Sequence, residues 1–149
     1  MKRIGIYLRV STEEQARIVD GSLVSQRQRL IDFVEGQNRK DNGWGVVIDF
    51  YCDEGKSAKD MKRPEFQRLL KDVKSQRINV ILATELSRLS RSISDFCELW
   101  DMFKKHETSF ITIRENFDTT TAAGEMMVFN LINFAQLGRF CKKKSVIYI

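Results

Sequence analysis

The chain has 149 residues, 42% of them hydrophobic and 30% charged, which is typical of one globular domain with its own core. No apolar run has the length of a membrane span, the N-terminus lacks a signal-peptide core, and the three cysteines form no CxxC pair, so we expect a cytoplasmic protein without a zinc site or disulfide scaffold. The net charge is +5, but four basic residues and no acidic one lie between Arg139 and Ile149, leaving 21 basic against 20 acidic residues elsewhere. A nucleic-acid partner must therefore be argued from local clusters.

The first half of the chain predicts two strands and two helices. Apolar residues alternate over Lys2 to Arg9, which indicates a strand. A helix with one apolar face is expected from Ser22 to Asn38, and the apolar, β-branched segment from Trp44 to Glu54 predicts a strand that ends in acidic residues. Pro64 suits the first position of the second helix, with Arg63 at its cap.

The second half continues the same alternation. The apolar run from Ile78 to Thr84 predicts a strand buried on both faces, and Ser92 with Asp95 has the spacing of a capping box that starts a third helix. A fourth strand is expected over Ser109 to Glu115, followed by a loop and a last helix from about Thr121 to at least Phe140. This order predicts an α/β domain with a mostly parallel sheet and right-handed crossovers.

The last helix is apolar nearly all round, with Met126, Met127, Val128, Phe129 and Phe134 on different sides. A helix on the surface of one domain needs only an apolar stripe. The pattern therefore favours burial on two sides, by its own domain and by a partner protein. A central core helix is the alternative.

Arginines follow several of the predicted strands at the edge where parallel sheets form their sites. Arg9 ends the first strand two residues before Ser11, Arg63 begins the second helix, and Arg88 and Arg91 follow the third strand. Arg88 and Arg91 are three residues apart at the start of the third helix, so one helical turn would place them on the same side. Guanidinium groups bind phosphate bidentately, and four like charges together favour a bound anion. The pattern predicts a phosphate site beside Ser11.

Simpler interpretations of the same residues remain. Ser11 with Glu14, or Thr12 with Gln15, has the spacing of a helix cap, and Arg88 and Arg91 could be solvated surface charges. Other chemistries fit less well. The single histidine, His106, is at the far end of the third helix from Ser11, a P-loop is absent, and no carboxylate trio indicates a two-metal nuclease.

Four motifs in chain order resemble the catalytic domain of serine site-specific recombinases, the resolvase and invertase family. They are "YLRVST", the Ser-Gln of "SLVSQRQRL", "DEGKSAKDMKRPEFQRLL" and "LSRLSRS", and the resemblance runs from about Lys2 to Arg139. The Asp-Gly before the first helix, and Ser87 where small resolvases carry Asp, look more like the large serine recombinases. The implied fold is a three-layer α/β domain with a central, mostly parallel sheet of about four to five strands and a long C-terminal helix.

The resemblance implies that Ser11 attacks a DNA phosphodiester, forming a 5′-phosphoserine link and freeing a 3′-hydroxyl. No metal, ATP or other cofactor is implied, because the covalent intermediate conserves the energy of the broken bond. The partners implied are double-stranded DNA and further copies of the chain, as dimers that pair into a tetramer at recombination sites, with no small-molecule substrate. The proton acceptor for Ser11 stays open between Asp53, an arginine and water. The implied catalytic residues are Ser11, Arg9, Arg88, Arg91, Arg63, Gln26 and Asp53, with Tyr7 and Ser87 supporting and Arg9, Arg63, Arg88, Arg91 and Arg139 contacting DNA.

The implied organisation is a catalytic domain over residues 1–121 and the start of a dimerisation helix over residues 122–149. Gly138 stands where the family pattern has an acid, and the sequence from about residue 140 is atypical for the family. With no DNA-recognition domain in the sequence, we expect a truncation, a frameshift or a mobile-element remnant. Two other functions stay open: a recombination-inactive module that dimerises with full-length recombinases, and a phosphate- or nucleotide-binding domain, which would need Gly-rich loops that the sequence lacks.

Overall fold

The computed structural model describes residues 1–11, 23–55 and 63–147, without the side chains of Ser11, Gly55 and residues 137–147. The predicted strands and helices occur in the predicted order, with a short helix added after the third strand and a two-residue strand added before the last helix. The strands are β1 (Lys2–Ser11), β2 (Gly45–Gly55), β3 (Val80–Ala83), β4 (Ser109–Thr112) and β5 (Phe117–Asp118). The helices are α1 (Leu23–Lys40), α2 (Pro64–Lys74), α3 (Leu86–Leu89), α4 (Ile93–Lys105) and α5 (Ala122–Ile147).

The strands form one five-stranded sheet in the order β2-β1-β3-β4-β5. All neighbouring pairs are parallel except β4 with β5, which is antiparallel. The predicted α/β fold with a mostly parallel sheet of four to five strands is therefore confirmed. Because β1 and β3 are adjacent at the centre of the sheet, their carboxyl ends and that of β2 lie along one edge.

Each face of the sheet has its own core, as the alternation of strand side chains requires. On one face, Ile4, Ile6 and Leu8 of β1 pack with Leu30 and Val34 of α1. The opposite face packs against α2, α4 and the beginning of α5. Its largest buried side chains are Tyr7, Tyr51, Phe66, Leu69, Phe96, Trp100, Phe103 and Phe110. The sheet is thus the middle layer of three.

The edge strand β2 is shielded by side chains instead of a further strand. The backbone N–H of Phe50 donates to the Asp49 carboxylate at 2.8 Å, and its carbonyl accepts from the Arg68 guanidinium at 2.9 Å. Arg68 also pairs with Asp49 at 2.7 Å. At Phe50, two backbone groups that could pair with another chain are therefore already bonded, which protects this part of the edge.

The segment after β3 differs from its prediction. Arg88 belongs to the single-turn helix α3, whereas Arg91 lies in the link before α4. Ser90, between them, is extended, with φ −150° and ψ 143°. The expectation that Arg88 and Arg91 share one helical turn at the start of the third helix is therefore wrong. The predicted start of this helix at Ser92 is confirmed, because the Ser92 hydroxyl accepts from the Asp95 backbone N–H and α4 begins at Ile93.

Two short elements near the C-terminal helix also differ. β4 ends at Thr112 and not at Glu115, since residues 113–116 form a turn in which Asn116 has a φ of 57°. The segment "NFD", expected as a loop, contains the two-residue strand β5. Two residues are too few for a periodic pattern to reveal.

Over residues 122–136, where the structure describes its side chains, helix α5 packs on the domain through one side. Val128 is fully buried, whereas Met126, Phe129 and Phe134 are 58%, 54% and 77% exposed. The apolar residues that the sequence places all round the helix are therefore shared between the core and open surface. Within the part of the chain that the structure describes, no helix is both long and apolar enough to cross a membrane.

Candidate active site

The candidate site lies at the edge where β1, β2 and β3 end. The last residues of β1 and β2, Ser11 and Gly55, are partners in the parallel ladder, and Arg9 is the partner of Asp53 two positions earlier. Arg9 is half-buried and Asp53 is buried. The sheet therefore places the backbone of Ser11 next to both residues. The Ser11 side chain lies outside the described part.

The Asp53 carboxylate holds the N-terminus of α2. It accepts the backbone N–H groups of Glu65 and Phe66, each at 3.0 Å. Arg63 is at the N-cap position, as predicted, but its side chain makes no cap hydrogen bond because a guanidinium cannot accept one. The acceptor is supplied by β2 instead, and its negative charge suits the positive end of the helix dipole.

A buried hydroxyl completes the surroundings of Asp53. The Tyr7 hydroxyl donates to the Asp53 carboxylate at 2.8 Å. Burial raises the pKa of Tyr7 well above its usual range, the Arg63 charge opposes that change, and the hydrogen bond to Asp53 adds to it. Tyr7 is therefore a neutral hydrogen-bond donor, and it ties the centre of the sheet to the beginning of α2.

Arg63 connects α2 to α3. Its guanidinium lies over the Phe66 ring at 3.8 Å and donates to the backbone carbonyls of Arg88 and Leu89, both at 2.9 Å. The backbone φ of Arg63 is 26°, an uncommon conformation for a residue with a side chain, which persists only where surrounding contacts fix it. In this structure Arg63 thus holds the last turn of α3, the helix that carries Arg88.

The other candidate residues after β3 differ in exposure. The side chain of Arg88 is 17% exposed, whereas Ser87 and Arg91 are exposed. Glu85, immediately before α3, lies 3.3 Å from the Arg88 guanidinium. The Arg88 backbone carbonyl therefore accepts from Arg63, and the Arg88 guanidinium forms an ion pair with Glu85.

The acidic residues of this region were missed by sequence reasoning. Glu85 pairs with Arg114 at 2.8 Å as well as with Arg88, and the Glu115 carboxylate accepts the Leu86 backbone N–H at 2.7 Å. Arg114 and Glu115 come from the turn after β4, distant in sequence from Glu85. An acidic residue in front of "LSRLSRS" was the available signal, but its partners depend on the folding of β4 beside β3.

The remaining predicted residues lie on helices or at the opposite edge. Gln26 is buried near the beginning of α1. Arg139 is within α5, and its side chain is outside the described part. His106 caps the C-terminus of α4, ahead of β4, so it lies at the amino ends of the strands, away from Ser11.

The candidate site is less positively charged than its four arginines alone would make it. Carboxylates of Asp53 and Glu85 lie among the arginines, and Arg63 is bonded to two carbonyls. These partners offset much of the repulsion between guanidinium groups before any anion binds. Among the described residues, no group of histidine, cysteine or acidic side chains has an arrangement that could hold a metal ion.

Comparisons with known proteins agree on one family. A family model described as "Resolvase, N terminal domain" matches residues 4–146. The crystal structure of the N-terminal catalytic domain of TP901-1 integrase superimposes with a TM-score of 0.82 and 33% sequence identity, covering 95% of this chain and 99% of that one.

Two curated proteins are also similar in sequence. "Uncharacterized immunity region protein 3" of Bacillus phage phi105 is 44% identical over 73 residues, which are 48% of this chain and 79% of that protein. "Putative DNA recombinase" of Bacillus subtilis (strain 168) is 32% identical over 114 residues, which are 76% of this chain and only 21% of that protein.

Proposed function

The chain belongs to the resolvase family, as a recombinase catalytic domain matched over residues 4–146, and from this premise we propose that Ser11 is its DNA-cleaving nucleophile. The observation that carries the proposal is the meeting of three elements at one edge of the sheet. The end of β1 with Arg9, the Asp53–Arg63 junction, and α3 with Arg88 are linked by the ladder and by hydrogen bonds.

The proposed reaction is a phosphoryl transfer within DNA. The Ser11 Oγ attacks the phosphorus, the Oγ–P bond forms, and the bond from phosphorus to the 3′-oxygen breaks. The 3′-oxygen leaves with a proton as a hydroxyl, and the 5′-phosphate stays on the serine. Religation is the same step in reverse after strand exchange, so the bond energy is retained and no nucleotide cofactor is needed.

The arginines have different parts in this scheme. Arg9, Arg88 and Arg91 contact the phosphate, where fixed positive charge stabilises the transition state. Arg63, bonded to the Arg88 and Leu89 carbonyls, keeps α3 in place. Asp53 already accepts three hydrogen bonds, so its carboxylate anchors α2, and water accepts the serine proton instead.

The partners follow from the same family. We assign to this chain double-stranded DNA as substrate, a cytoplasmic location with that DNA, and homodimers that pair as tetramers. The exposed apolar side chains of α5, namely Met126, Met127, Phe129 and Phe134, are the proposed contact between copies. No similarity found here favours a recombination-inactive module. The catalytic domain is assigned to residues 1–121 and the interface helix to the residues that follow.

The decisive experiment detects the covalent intermediate. Purified chain is incubated with supercoiled DNA libraries, the mixture is denatured with detergent, and protein bound to DNA 5′-ends is isolated and identified by mass spectrometry. We expect a phosphoserine adduct at Ser11 that disappears in Ser11→Ala. Arg88→Ala should reduce the adduct by roughly a hundredfold or more, as for loss of a transition-state donor.

The control is Ser75→Ala, which removes a serine that lies beyond the C-terminus of α2 and before β3, at the amino ends of the strands. It should leave the adduct yield unchanged. An adduct that persists in Ser11→Ala, or one that maps to another residue, would contradict the assignment of the nucleophile.

A further inference from the structure

Glu85 lies between two arginines that differ in their exposure to solvent. One carboxylate oxygen is 3.3 Å from the Arg88 guanidinium, and the other accepts from the Arg114 guanidinium at 2.8 Å. The side chains of Glu85 and Arg88 are 19% and 17% exposed, whereas that of Arg114 is 75% exposed. The shorter of the two distances is thus the one between Glu85 and the exposed Arg114.

The turn that carries Arg114 is fixed against the end of β3. The Arg114 backbone N–H donates to the Thr84 carbonyl at 2.8 Å, and the Ile113 N–H donates to the Ala83 carbonyl at 3.3 Å. On the neighbouring residue, the Glu115 carboxylate accepts the Leu86 N–H at 2.7 Å. Glu85 and Arg114 therefore meet on two segments already held together, which lowers the entropy lost in forming their ion pair.

We propose that Glu85 is the counter-ion of Arg88 in the DNA-free protein and competes with the DNA phosphate for it, while Arg114 retains Glu85 when the phosphate binds. The proposal rests on the proposed function, because it takes Arg88 as a phosphate-binding residue. A phosphate bound to Arg88 brings a second anion close to the Glu85 carboxylate. Their repulsion weakens phosphate binding, and the Arg114 charge limits that repulsion.

The proposal predicts opposite changes in phosphate affinity when Glu85 and Arg114 are replaced. Glu85→Gln removes the competing charge and keeps the shape of the side chain, so phosphate affinity should rise about five- to tenfold at low salt, as for one charge several ångströms away in a partly solvated site. Arg114→Gln frees the Glu85 carboxylate for Arg88, so phosphate affinity should fall by a similar factor.

The double variant separates an indirect effect of Arg114 from a direct contact with the anion. If Arg114 acts through Glu85, Arg114→Gln should have little effect once Glu85 is replaced by Gln. If Arg114 binds phosphate itself, its loss should lower the affinity equally in both backgrounds. Glu107→Gln is the matched control, because it removes an exposed carboxylate in the turn before β4, at the opposite edge of the sheet.

Two probes are used on the full chain. Inorganic phosphate is titrated while the arginine side-chain N–H signals are followed by NMR, and a fluorescent DNA duplex is titrated by anisotropy at low and high salt. Tighter phosphate binding in Glu85→Gln, absent in Glu107→Gln and coupled to Arg114, supports the competition. Equal or weaker phosphate binding in folded Glu85→Gln, or no phosphate signal at Arg88 in either protein, overturns it.

Phosphate affinity on the one hand, and DNA binding with the Ser11 adduct on the other, separate failure of this proposal from failure of the proposed function. Tighter phosphate binding in Glu85→Gln, together with no DNA binding and no Ser11 adduct in any variant, would support the counter-ion role and reject the DNA chemistry. A Ser11 adduct in the wild type with no change in phosphate affinity in Glu85→Gln would keep the recombinase assignment and reject the role of Glu85.

Discussion

Arg63 donates to the backbone carbonyl of Arg88 at 2.9 Å, so one arginine of the candidate site holds the backbone of another. A second guanidinium N–H bonds to the next carbonyl, that of Leu89, also at 2.9 Å. Two bonds to adjacent carbonyls from one planar group fix both the position and the direction of the end of α3. The residue is therefore important to the site even where it does not contact a phosphate.

Replacing Arg63 by Ala should loosen α3 as well as destabilise the domain. Loss of two hydrogen bonds and the contact with Phe66 should lower the free energy of unfolding by about 1–3 kcal/mol, and Arg63→Lys should fall between the two proteins. Urea denaturation measures the free energy of unfolding. Hydrogen exchange of peptides covering residues 84–92 measures the loosening of α3.

Arg27→Ala is the matched control for Arg63. Arg27 also lies over an aromatic ring, at 4.2 Å from Phe50, but on α1. Arg27→Ala should leave the hydrogen exchange of residues 84–92 unchanged. Equal exchange in Arg63→Ala and the wild type would mean that the two carbonyl bonds do not determine the position of α3.

Tyr7→Phe should destabilise the domain by removing the hydroxyl that donates to buried Asp53. The expected loss is about 1–3 kcal/mol, since the acceptor is a carboxylate shielded from water. Asp53→Ala should cost more, because it also leaves the Glu65 and Phe66 N–H groups without their acceptor. The free energies come from urea denaturation, and the two substitutions should be non-additive.

Tyr51→Phe provides a comparison for Tyr7→Phe. Its hydroxyl also donates to a carboxylate, that of Asp72, but Asp72 is less buried than Asp53: its side chain is 18% exposed, whereas Asp53 as a whole residue is 6% exposed. The loss of stability should therefore be smaller than in Tyr7→Phe. A larger loss in Tyr51→Phe would indicate that burial of the acceptor is not the controlling factor.

Two glycine substitutions should change stability in opposite directions. A β-carbon at Gly124 in α5 would overlap with the carbonyl of Asp118, whereas one at Gly36 in α1 would meet no atom within 4 Å. Gly124→Ala should lose about 1–3 kcal/mol through overpacking, and Gly36→Ala should gain about 0.5–1 kcal/mol from helix propensity. Thermal unfolding of both variants measures the two changes in stability. A stable Gly124→Ala would show that α5 can move away from β5.

Asp49→Asn should reduce stability in a pH-dependent way. The hydrogen bond from Arg68 holds the pKa of Asp49 below its ordinary value of 3.8, so the carboxylate stabilises the fold fully above that value and loses this effect as the pH falls through the lower folded-state pKa. Near neutral pH the loss should be about 0.5–1 kcal/mol, as expected for a partly exposed ion pair.

Urea denaturation of wild type and Asp49→Asn over a pH series measures this effect. The stability difference should shrink as the pH falls below 3.8. A difference that does not change with pH would mean that the carboxylate acts through packing or hydrogen bonding alone. Asp41→Asn, which replaces an exposed carboxylate after α1, is the surface control.

Periodicity determined most of the fold. The spacing of apolar residues showed which side chains are buried in β1, β3 and α2, because strands and helices repeat their contacts at different periods. The order of these elements then specified a mostly parallel sheet, and the arginines after the strands indicated which edge carries the proposed site. Short elements such as α3, with four residues, and β5, with two, span only about one period, so no pattern repeats within them.

Only the tertiary structure decided which groups meet at that edge. Nothing local in the sequence indicates that Asp53 caps α2, that Arg63 reaches the α3 carbonyls, or that Arg114 pairs with Glu85. Each contact joins segments brought together by the sheet, and hydrogen bonds and ion pairs depend on distances of about 3 Å that residue spacing cannot fix. The sequence by itself determined the longer strands and helices and the types of side chain at their ends, and the packing of the strands side by side determined which of those side chains are partners.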